Sequence, residues 1–219
     1  MAAKNLNLIV CGVGGRMGGA VIRAIKQTAG VQLVAGIDKP GSPRLGKDAG
    51  EISGAGHLGV TISDEIELYL QPNTVIIDFT QPEASLGYLR AAAKTAAPIV
   101  IATTGFNPQQ SAAIKRLSRR SPTLLSANTS LGVNVLVSLL GKAAKMLGDD
   151  YDVEIIEAHH RFKKDAPSGT ALALGRSVAA ALNRDLDKIG IHGRKGIAGE
   201  RSKKEIALLS IRAGDIVGD

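Results

Sequence analysis

Apolar residues in the first 128 positions fall in short runs separated by helical patterns. Helical patterns at 84–97 and 109–119 separate three of these runs. The runs are rich in β-branched residues and apolar on both faces, as in parallel strands covered by helices on both sides. They are LNLIVC (6–11), VQLVAGID (31–38), TVIIDFT (74–80), PIVIATTG (98–105) and TLLSAN (123–128). The alternation predicts an α/β fold with a Rossmann-like, doubly wound parallel sheet.

The pattern changes after Asn128. Residues 130–149 predict one long helix, with Ser130 as its N-cap and Gly148 as its end. A strand pattern (152–158), a helix (168 to about 183), a Gly- and Lys-rich loop and a strand pattern (205–212) follow. We therefore predict a dinucleotide-binding domain over residues 1–130 and a second, α+β domain over residues 131–219.

The composition is that of a chain able to form a sizeable core. It has 219 residues, of which 44% are hydrophobic and 21% charged. Cys11 is the single cysteine, so no intrachain disulfide can form, and this fits a reducing compartment. The first apolar run, 6–11, is too short for a signal peptide or a membrane span. We expect a soluble, cytoplasmic protein without a membrane partner.

The net charge of +7 raises the question of an anionic partner. Aromatic residues make up only 3% of the chain, and tryptophan is absent, so stacking platforms for nucleic acid are few. The bases are scattered, with local excesses at 161–164 and 194–204. This pattern favours a small anionic ligand over nucleic acid.

A glycine-rich turn, GVGGRMG, follows the first strand. Gly12, Gly15 and Gly18 are three apart, and Gly14 adds a fourth small position. Small residues let a pyrophosphate approach the N–H groups of a helix N-terminus. The spacing departs from strict G-x-G-x-x-G, and a plain tight turn is the alternative. Asp38 ends the second strand twenty residues beyond Gly18, where such domains place an acid for the ribose hydroxyls, and this favours a dinucleotide site.

Other residues at the same predicted sheet edge extend this site. Lys39 could meet a 2′-phosphate or be an ordinary exposed loop lysine, and both interpretations stay open. ATTGF (102–106) and SANTS (126–130) follow predicted strands, where ligands of doubly wound sheets bind. We therefore expect contacts from Thr103, Thr104 and Asn128, although either segment alone could be just a turn.

The stretch EAHHRFKKDAPSGTA (157–171) combines a helix start with a cluster of cations. Pro167 disfavours a helical residue before it, so Ser168 is the predicted N-cap of the following helix. The N–H groups of Gly169 and Thr170 then lie unpaired at the positive end of the helix dipole, which suits a carboxylate. The alternative is a plain N-cap.

The side chains that precede this helix favour a chemical role. His160, Lys163 and Lys164 add positive charge beside the predicted carboxylate site. Histidine exchanges protons near neutral pH, so His159 can serve as an acid. Together these residues predict a dicarboxylate site with a proton donor.

Six motifs carry a resemblance over essentially the whole chain: EAHHRFKKDAPSGTA, VCGVGGRMGG, DFTQPE, TTGF, SLGVNVL and RAGDIVG. They resemble the 4-hydroxy-tetrahydrodipicolinate reductase (dihydrodipicolinate reductase) family of the diaminopimelate route to lysine. The resemblance implies hydride transfer from NADH or NADPH to a cyclic unsaturated dicarboxylate, no metal, and a homotetramer assembled through the second, substrate-binding domain.

The resemblance also implies residue roles. His159 and Lys163 would be the acid/base residues, and the substrate carboxylates would be held by His160, Ser168, Gly169 and Thr170. The implied cofactor-binding residues are Gly12, Val13, Gly14, Gly15, Arg16, Met17, Asp38, Lys39, Ala102, Thr103, Thr104, Ser126, Ala127, Asn128 and Thr129. The chain departs from the family pattern at Ala102 (often Gly), Lys39 (often Arg) and Thr129 (often Phe). The change at Lys39 leaves the choice of cofactor open.

Two other classes of function are compatible with the glycine turn alone. A dinucleotide sensor would need neither His159 nor Lys163. Another two-domain Rossmann dehydrogenase would act on an aldehyde or a hydroxy acid. The presence of His159 and Lys163 beside PSGT disfavours both alternatives.

The segment RAGDIVGD (212–219) lies in the middle of a family motif and just after a strand pattern. Ended there, the second sheet would have an unpaired edge and an apolar face without its cover. We therefore expect the natural protein to continue with further strands.

Overall fold

The computed structural model describes residues 5–71 and 73–219, which form two units, one ending at Ser126 and one beginning at Ala127. The first unit alternates strands and helices. Its elements are β1 (Leu6–Cys11), α1 (Arg16–Gln27), β2 (Val31–Ile37), α2 (Ala49–Ser53), β3 (Ile62–Ser63), a 3-10 turn (Ile66–Tyr69), β4 (Thr74–Asp78), α3 (Pro82–Thr95), β5 (Ile99–Ile101), α4 (Pro108–Leu117) and β6 (Thr123–Leu125).

These strands form one parallel sheet in the order β3-β2-β1-β4-β5-β6. This is the strand order of doubly wound nucleotide-binding sheets, and it confirms the predicted fold. Cys11 pairs with Ile37 on one side and with Asp78 on the other, so β1, β2 and β4 end level. The glycine turn, Asp38 and the residues after β4 therefore meet at one edge.

Alternation along the central strand builds a core on each face of the sheet. Ile9 and Cys11 pack with Leu89 of α3 on one face. Val10 packs with Ile22 of α1 on the other. All five side chains are fully buried. Because β1 is covered on both faces, its sequence is a continuous apolar run.

The short elements between β2 and β4 were not predicted. α2 begins at its N-cap Asp48, whose carboxylate accepts from Glu51 N (3.0 Å). β3 has two residues, Ile62 and Ser63, too few to show a period of two.

The second unit carries a smaller sheet of three parallel strands, ordered β7-β9-β8. Ser130 caps α5, Gly148 follows its last residue and Ser168 caps α6, as predicted. Leu208, on β9, packs with Val178 of α6 and Ala144 of α5 in the core of this unit. Its elements are α5 (Leu131–Leu147), a 3-10 turn (Gly148–Asp150), β7 (Val153–His159), α6 (Gly169–Ala181), α7 (Leu186–Ile189), β8 (Gly190–Ile191) and β9 (Ile206–Arg212).

One helical segment, Leu131–Asp150, is long and apolar enough to cross a membrane by length and composition alone, with a mean hydropathy of 1.3. Core helices of soluble proteins satisfy the same criterion. Several of its apolar side chains are exposed in this chain, among them Leu136, Leu139 and Met146.

Candidate active site

The glycine turn joins β1 to α1 through backbone that only small residues can form. Gly12 has φ +81°, and its N–H donates to Ile37 O (2.8 Å). A Cβ on Gly18 would lie 2.2 Å from Gly12 O, so the helix packs directly on the turn. The N-cap Gly15 offers no side-chain cap, which leaves the first N–H groups of α1 free for an anion. The turn therefore fits the pyrophosphate of a dinucleotide.

Asp38 lies directly beyond β2, at the edge where the turn is. Its carboxylate accepts from Lys39 N (2.9 Å) and Ser42 Oγ (2.8 Å). Arg44 Nη1 lies 3.5 Å from Asp38 Oδ2. Asp38 thus lies at the edge where the glycine turn is, and its contact with a ribose stays a prediction; Arg44 was not singled out in the sequence.

The residues after β5 have a structural task that the sequence did not reveal. Thr103 is buried, and its hydroxyl accepts from Thr80 N (3.1 Å) and Ser85 Oγ (2.8 Å). It donates to Asp78 Oδ2 (3.3 Å), and Ala102 N donates to Asp78 O (2.9 Å). Burial raises the pKa of Asp78, and hydrogen bonds to its carboxylate from Ser85, Thr80 and Thr103 partly offset the rise. A cofactor contact of Thr103 would therefore come from its backbone.

Residues 126–129 span the junction of the two units. Ser126 N donates to Ile101 O (3.0 Å), which fastens this segment to β5. In the second unit, Asn128 Nδ2 donates to Thr170 Oγ1 (3.1 Å). The structure thus joins a residue predicted for the cofactor to one predicted for the substrate. Ala127 and Thr129 are exposed.

Glu157, which the sequence analysis did not single out, organises the histidine. It lies two residues before His159 on β7, so both side chains project from the same face. Glu157 Oε2 is 2.5 Å from His159 Nδ1. Because a carboxylate can only accept, the bond places a proton on Nδ1. His159 Nε2 is left on the far side of the ring, near Gly218.

Arg212 of β9 completes the support. Its Nη1 and Nη2 donate to Glu157 Oε2 (2.9 Å) and Oε1 (2.8 Å). Burial alone would raise the pKa of Glu157, but hydrogen bonds from Arg212, Ser210, His159 and Ser168 outweigh it. They lower the pKa from 4.5 to about 2, so the carboxylate is ionised at neutral pH.

The N-terminus of α6 is tied to the same carboxylate. Ser168 N donates to Glu157 Oε1 (3.1 Å), and Ser168 Oγ accepts from Ala171 N (3.1 Å). Ser168 is only 3% exposed. Its side chain is therefore a cap, whereas the N–H groups of Gly169 and Thr170 have no acceptor within the helix.

Two further predicted residues, His160 and Lys163, differ in their surroundings. Within the part of the chain that the structure describes, His160 Nδ1 is buried without a hydrogen-bond partner. Lys163 Nζ instead pairs with both oxygens of Asp165, each at 2.9 Å. This local pair was not foreseen. In the structure, Glu157 thus contacts both His159 and the start of α6, whereas the Lys163 ammonium is paired with Asp165.

The two units together indicate a class of protein. The first has the strand order, glycine turn and terminal acid of a dinucleotide-binding domain. The second presents a carboxylate-held histidine close to a helix N-terminus. We assign the chain to the two-domain oxidoreductases that use a nicotinamide cofactor.

Comparison with known proteins gives the family. Residues 6–129 match the N-terminal model, and residues 132–219 the C-terminal model, of dihydrodipicolinate reductase. The chain belongs to this family. It is a reductase of lysine biosynthesis, and the family uses NADH or NADPH; each of these predictions is confirmed.

Two curated relatives show the extent of the similarity. The 4-hydroxy-tetrahydrodipicolinate reductase of Citrifermentans bemidjiense is 46% identical over 214 residues, covering 98% of this chain and 80% of that protein. That of Syntrophus aciditrophicus is 48% identical with the same coverage. A dipicolinate-bound dihydrodipicolinate reductase from Paenisporosarcina sp. TG-14 shares the fold (TM-score 0.64, 22% identity, covering 98% of this chain and 81% of that one).

Proposed function

We propose that His159 donates the proton that completes the reduction. The observation that carries the proposal is that Glu157 bonds His159 Nδ1 with one oxygen and Ser168 N with the other. One buried carboxylate thus fixes the orientation of the imidazole relative to the start of α6. The nicotinamide, when bound, supplies the hydride. His159 then gives a proton from its ring to the substrate.

The substrate carboxylates bind at the start of α6. The N–H groups of Gly169 and Thr170 and the helix dipole attract one carboxylate, and the side chain of His160 adds a polar contact. The relative from Paenisporosarcina was solved with dipicolinate, a cyclic dicarboxylate. A dicarboxylate substrate suits the positive charge of Lys163 and Lys164, which precede this helix in the chain. Lys163 assists His159 once it is released from Asp165.

The cofactor lies along the carboxyl edge of the first sheet. Its pyrophosphate meets the turn from Gly12 to Met17, and its ribose meets Asp38. Backbone groups of 102–104 and 126–129 line the remainder. This assignment gives residues 1–130 the cofactor and residues 131–219 the substrate.

The test compares His159→Ala and Lys163→Ala with His57→Ala, a histidine whose side chain is 73% exposed in the first unit. Oxidation of NADPH is followed with substrate generated by the preceding synthase. We expect His159→Ala to lose roughly a hundred- to ten-thousandfold in kcat, the range of general acid catalysis, with NADPH affinity unchanged. Unchanged turnover in both site variants would refute the proposal.

We also propose a homotetramer that assembles through the second unit. Ile156 (64% exposed) and Ile211 (48%) project from the face of the sheet opposite Glu157, an apolar surface that a partner subunit would cover. Light scattering after size exclusion should give a tetramer, and Ile156→Asp should give smaller species. A monomer at micromolar concentration would contradict the proposal.

Finally, we propose that the protein works in the cytoplasm. A single, buried cysteine and a soluble pyridine nucleotide suit a reducing compartment. Fractionation of cells should place the reductase activity in the soluble fraction. Activity in the membrane pellet would instead point to the apolar segment Leu131–Asp150.

A further inference from the structure

The guanidinium of Arg44 lies flat on the glycine turn. A Cβ built on Gly14 would be 2.6 Å from Nη1, 2.7 Å from Cζ and 2.9 Å from Nε of Arg44. These nearly equal distances place the face of the guanidinium plane, rather than one tip, over Gly14. Any larger residue at position 14 would displace it. The cation therefore sits beside the N–H groups that would receive a pyrophosphate.

The loop after β2 holds Arg44 in this position. Ser42 is 5% exposed, and its hydroxyl accepts from Arg44 N (3.3 Å) while donating to Asp38 Oδ2 (2.8 Å). The Arg44 guanidinium lies 3.5 Å from the same carboxylate oxygen. The side chain of Arg44 is 40% exposed, so one face remains open to a ligand. Asp38, Ser42 and Arg44 thus form one hydrogen-bonded and ion-paired cluster.

Lys39 is differently placed, although it follows Asp38 directly. It is exposed, and only its backbone N–H contacts Asp38 (2.9 Å). Among the described residues, the ammonium of Lys39 has neither an ion pair nor a hydrogen bond. A cation without such a scaffold loses more side-chain entropy when it meets a ligand.

We propose that Arg44 is the residue that binds the 2′-phosphate of NADPH, and that its pair with Asp38 lets one site accept both cofactors. A free 2′-hydroxyl donates to Asp38, which keeps Arg44 as its counter-ion. A 2′-phosphate is repelled by Asp38 but can take both donors of the guanidinium fork. Arg44 neutralises Asp38 in the first case and the phosphate in the second.

The experiment measures binding rather than turnover. Isothermal titration of the full chain compares adenosine 2′,5′-bisphosphate with adenosine 5′-monophosphate, and then NADPH with NADH. Arg44→Ala and Arg44→Gln should weaken the 2′-phosphorylated ligands by about ten- to hundredfold, the value of a charged hydrogen bond. The ligands with a free 2′-hydroxyl should weaken clearly less, because they lose only the charge of Arg44 near the glycine turn and keep their contact to Asp38.

Lys39→Ala is the matched control, since it removes a neighbouring cation from the same loop. It should weaken both ligands of each pair alike and only slightly. Raising the salt concentration should reduce the preference of the wild-type protein for the bisphosphate, and this effect should be much smaller in Arg44→Ala. Equal losses for both ligands in Arg44→Ala would overturn the proposal. So would a selective loss in Lys39→Ala that Arg44→Ala does not show.

Discussion

Glu157 and Arg212 face each other as a doubly hydrogen-bonded ion pair, with Nη1 to Oε2 at 2.9 Å and Nη2 to Oε1 at 2.8 Å. The pair links β7 to β9, and Glu157 is only 4% exposed. It keeps a buried carboxylate ionised directly under His159. We expect both the stability of this region and the orientation of His159 to depend on this pair.

The first prediction concerns acid stability. The pKa of Glu157 is about 2 in the folded chain and 4.5 ordinarily, so the unfolded state binds the proton more readily. The contribution of ionised Glu157 to the free energy of unfolding is fully present above pH 4.5 and is lost as the pH falls towards about 2. The loss is on the order of 3 kcal/mol at most. In urea unfolding at several pH values, Glu157→Gln should reduce the fall in the free energy of unfolding between about pH 4.5 and 2. The exposed Glu67→Gln is the control, and an identical acid slope in Glu157→Gln would exclude this role.

The second prediction concerns the orientation of His159. The amide introduced by Glu157→Gln can donate to Nδ1 and so favour the opposite tautomer, as a neutral substitute does in other histidine–carboxylate pairs. We expect kcat to fall by at least about tenfold, with the affinity for NADPH unchanged. Glu67→Gln, at an exposed position of the first unit, should retain full activity. A proportionate loss of NADPH affinity in Glu157→Gln would indicate a general structural defect.

The third prediction compares two helix caps. Ser168 Oγ accepts from Ala171 N at 3.1 Å in a buried setting, whereas Ser130 Oγ accepts from Val133 N at 3.4 Å and is exposed. Ser168→Ala should lower the free energy of unfolding by about 1–2 kcal/mol, and Ser130→Ala should lower it clearly less. Thermal unfolding of both variants measures the difference. Equal costs would show that burial of the cap does not matter.

The fourth prediction compares two helical glycines. In Gly18→Ala the new methyl group would meet the backbone oxygen of Gly12 at 2.2 Å, so the turn must shift. We expect a cost of roughly 1–3 kcal/mol and weaker binding of both cofactors. Gly87→Ala, at an exposed position of α3 with nothing within 4 Å, should stabilise the chain by about 0.5–1 kcal/mol. Denaturant unfolding and NADPH titration would separate the two effects, and equal behaviour would contradict the packing argument.

Those parts of the fold that have a clear local sequence pattern could be predicted. The β-branched runs located most of the longer strands, and the glycine turn with Asp38 located the nucleotide edge. Two-residue strands such as β3 carry no period and were missed. The family resemblance named His159 and Thr170, but their roles stay predictions.

The partners of these residues were harder to foresee because they come from distant parts of the chain. Arg212 reaches Glu157 across 55 positions, and Thr103 meets Asp78 across 25. No spacing rule covers such pairs. Glu157 did have a local signal, since a residue two before His159 on a strand shares its face. Lys163 had a local signal as well, because the carboxylate that holds it is Asp165.

The pairing of β7 with β9 also sets a time order during synthesis. Glu157 leaves the ribosome roughly 3–11 s before Arg212 at ordinary rates of elongation, given their separation of 55 positions. For that interval the nascent chain has its histidine and the start of α6 but lacks the arginine that pairs with the Glu157 carboxylate. The ion pair that supports Glu157 can therefore form only after β9 has been translated, so this part of the candidate site is completed late in synthesis.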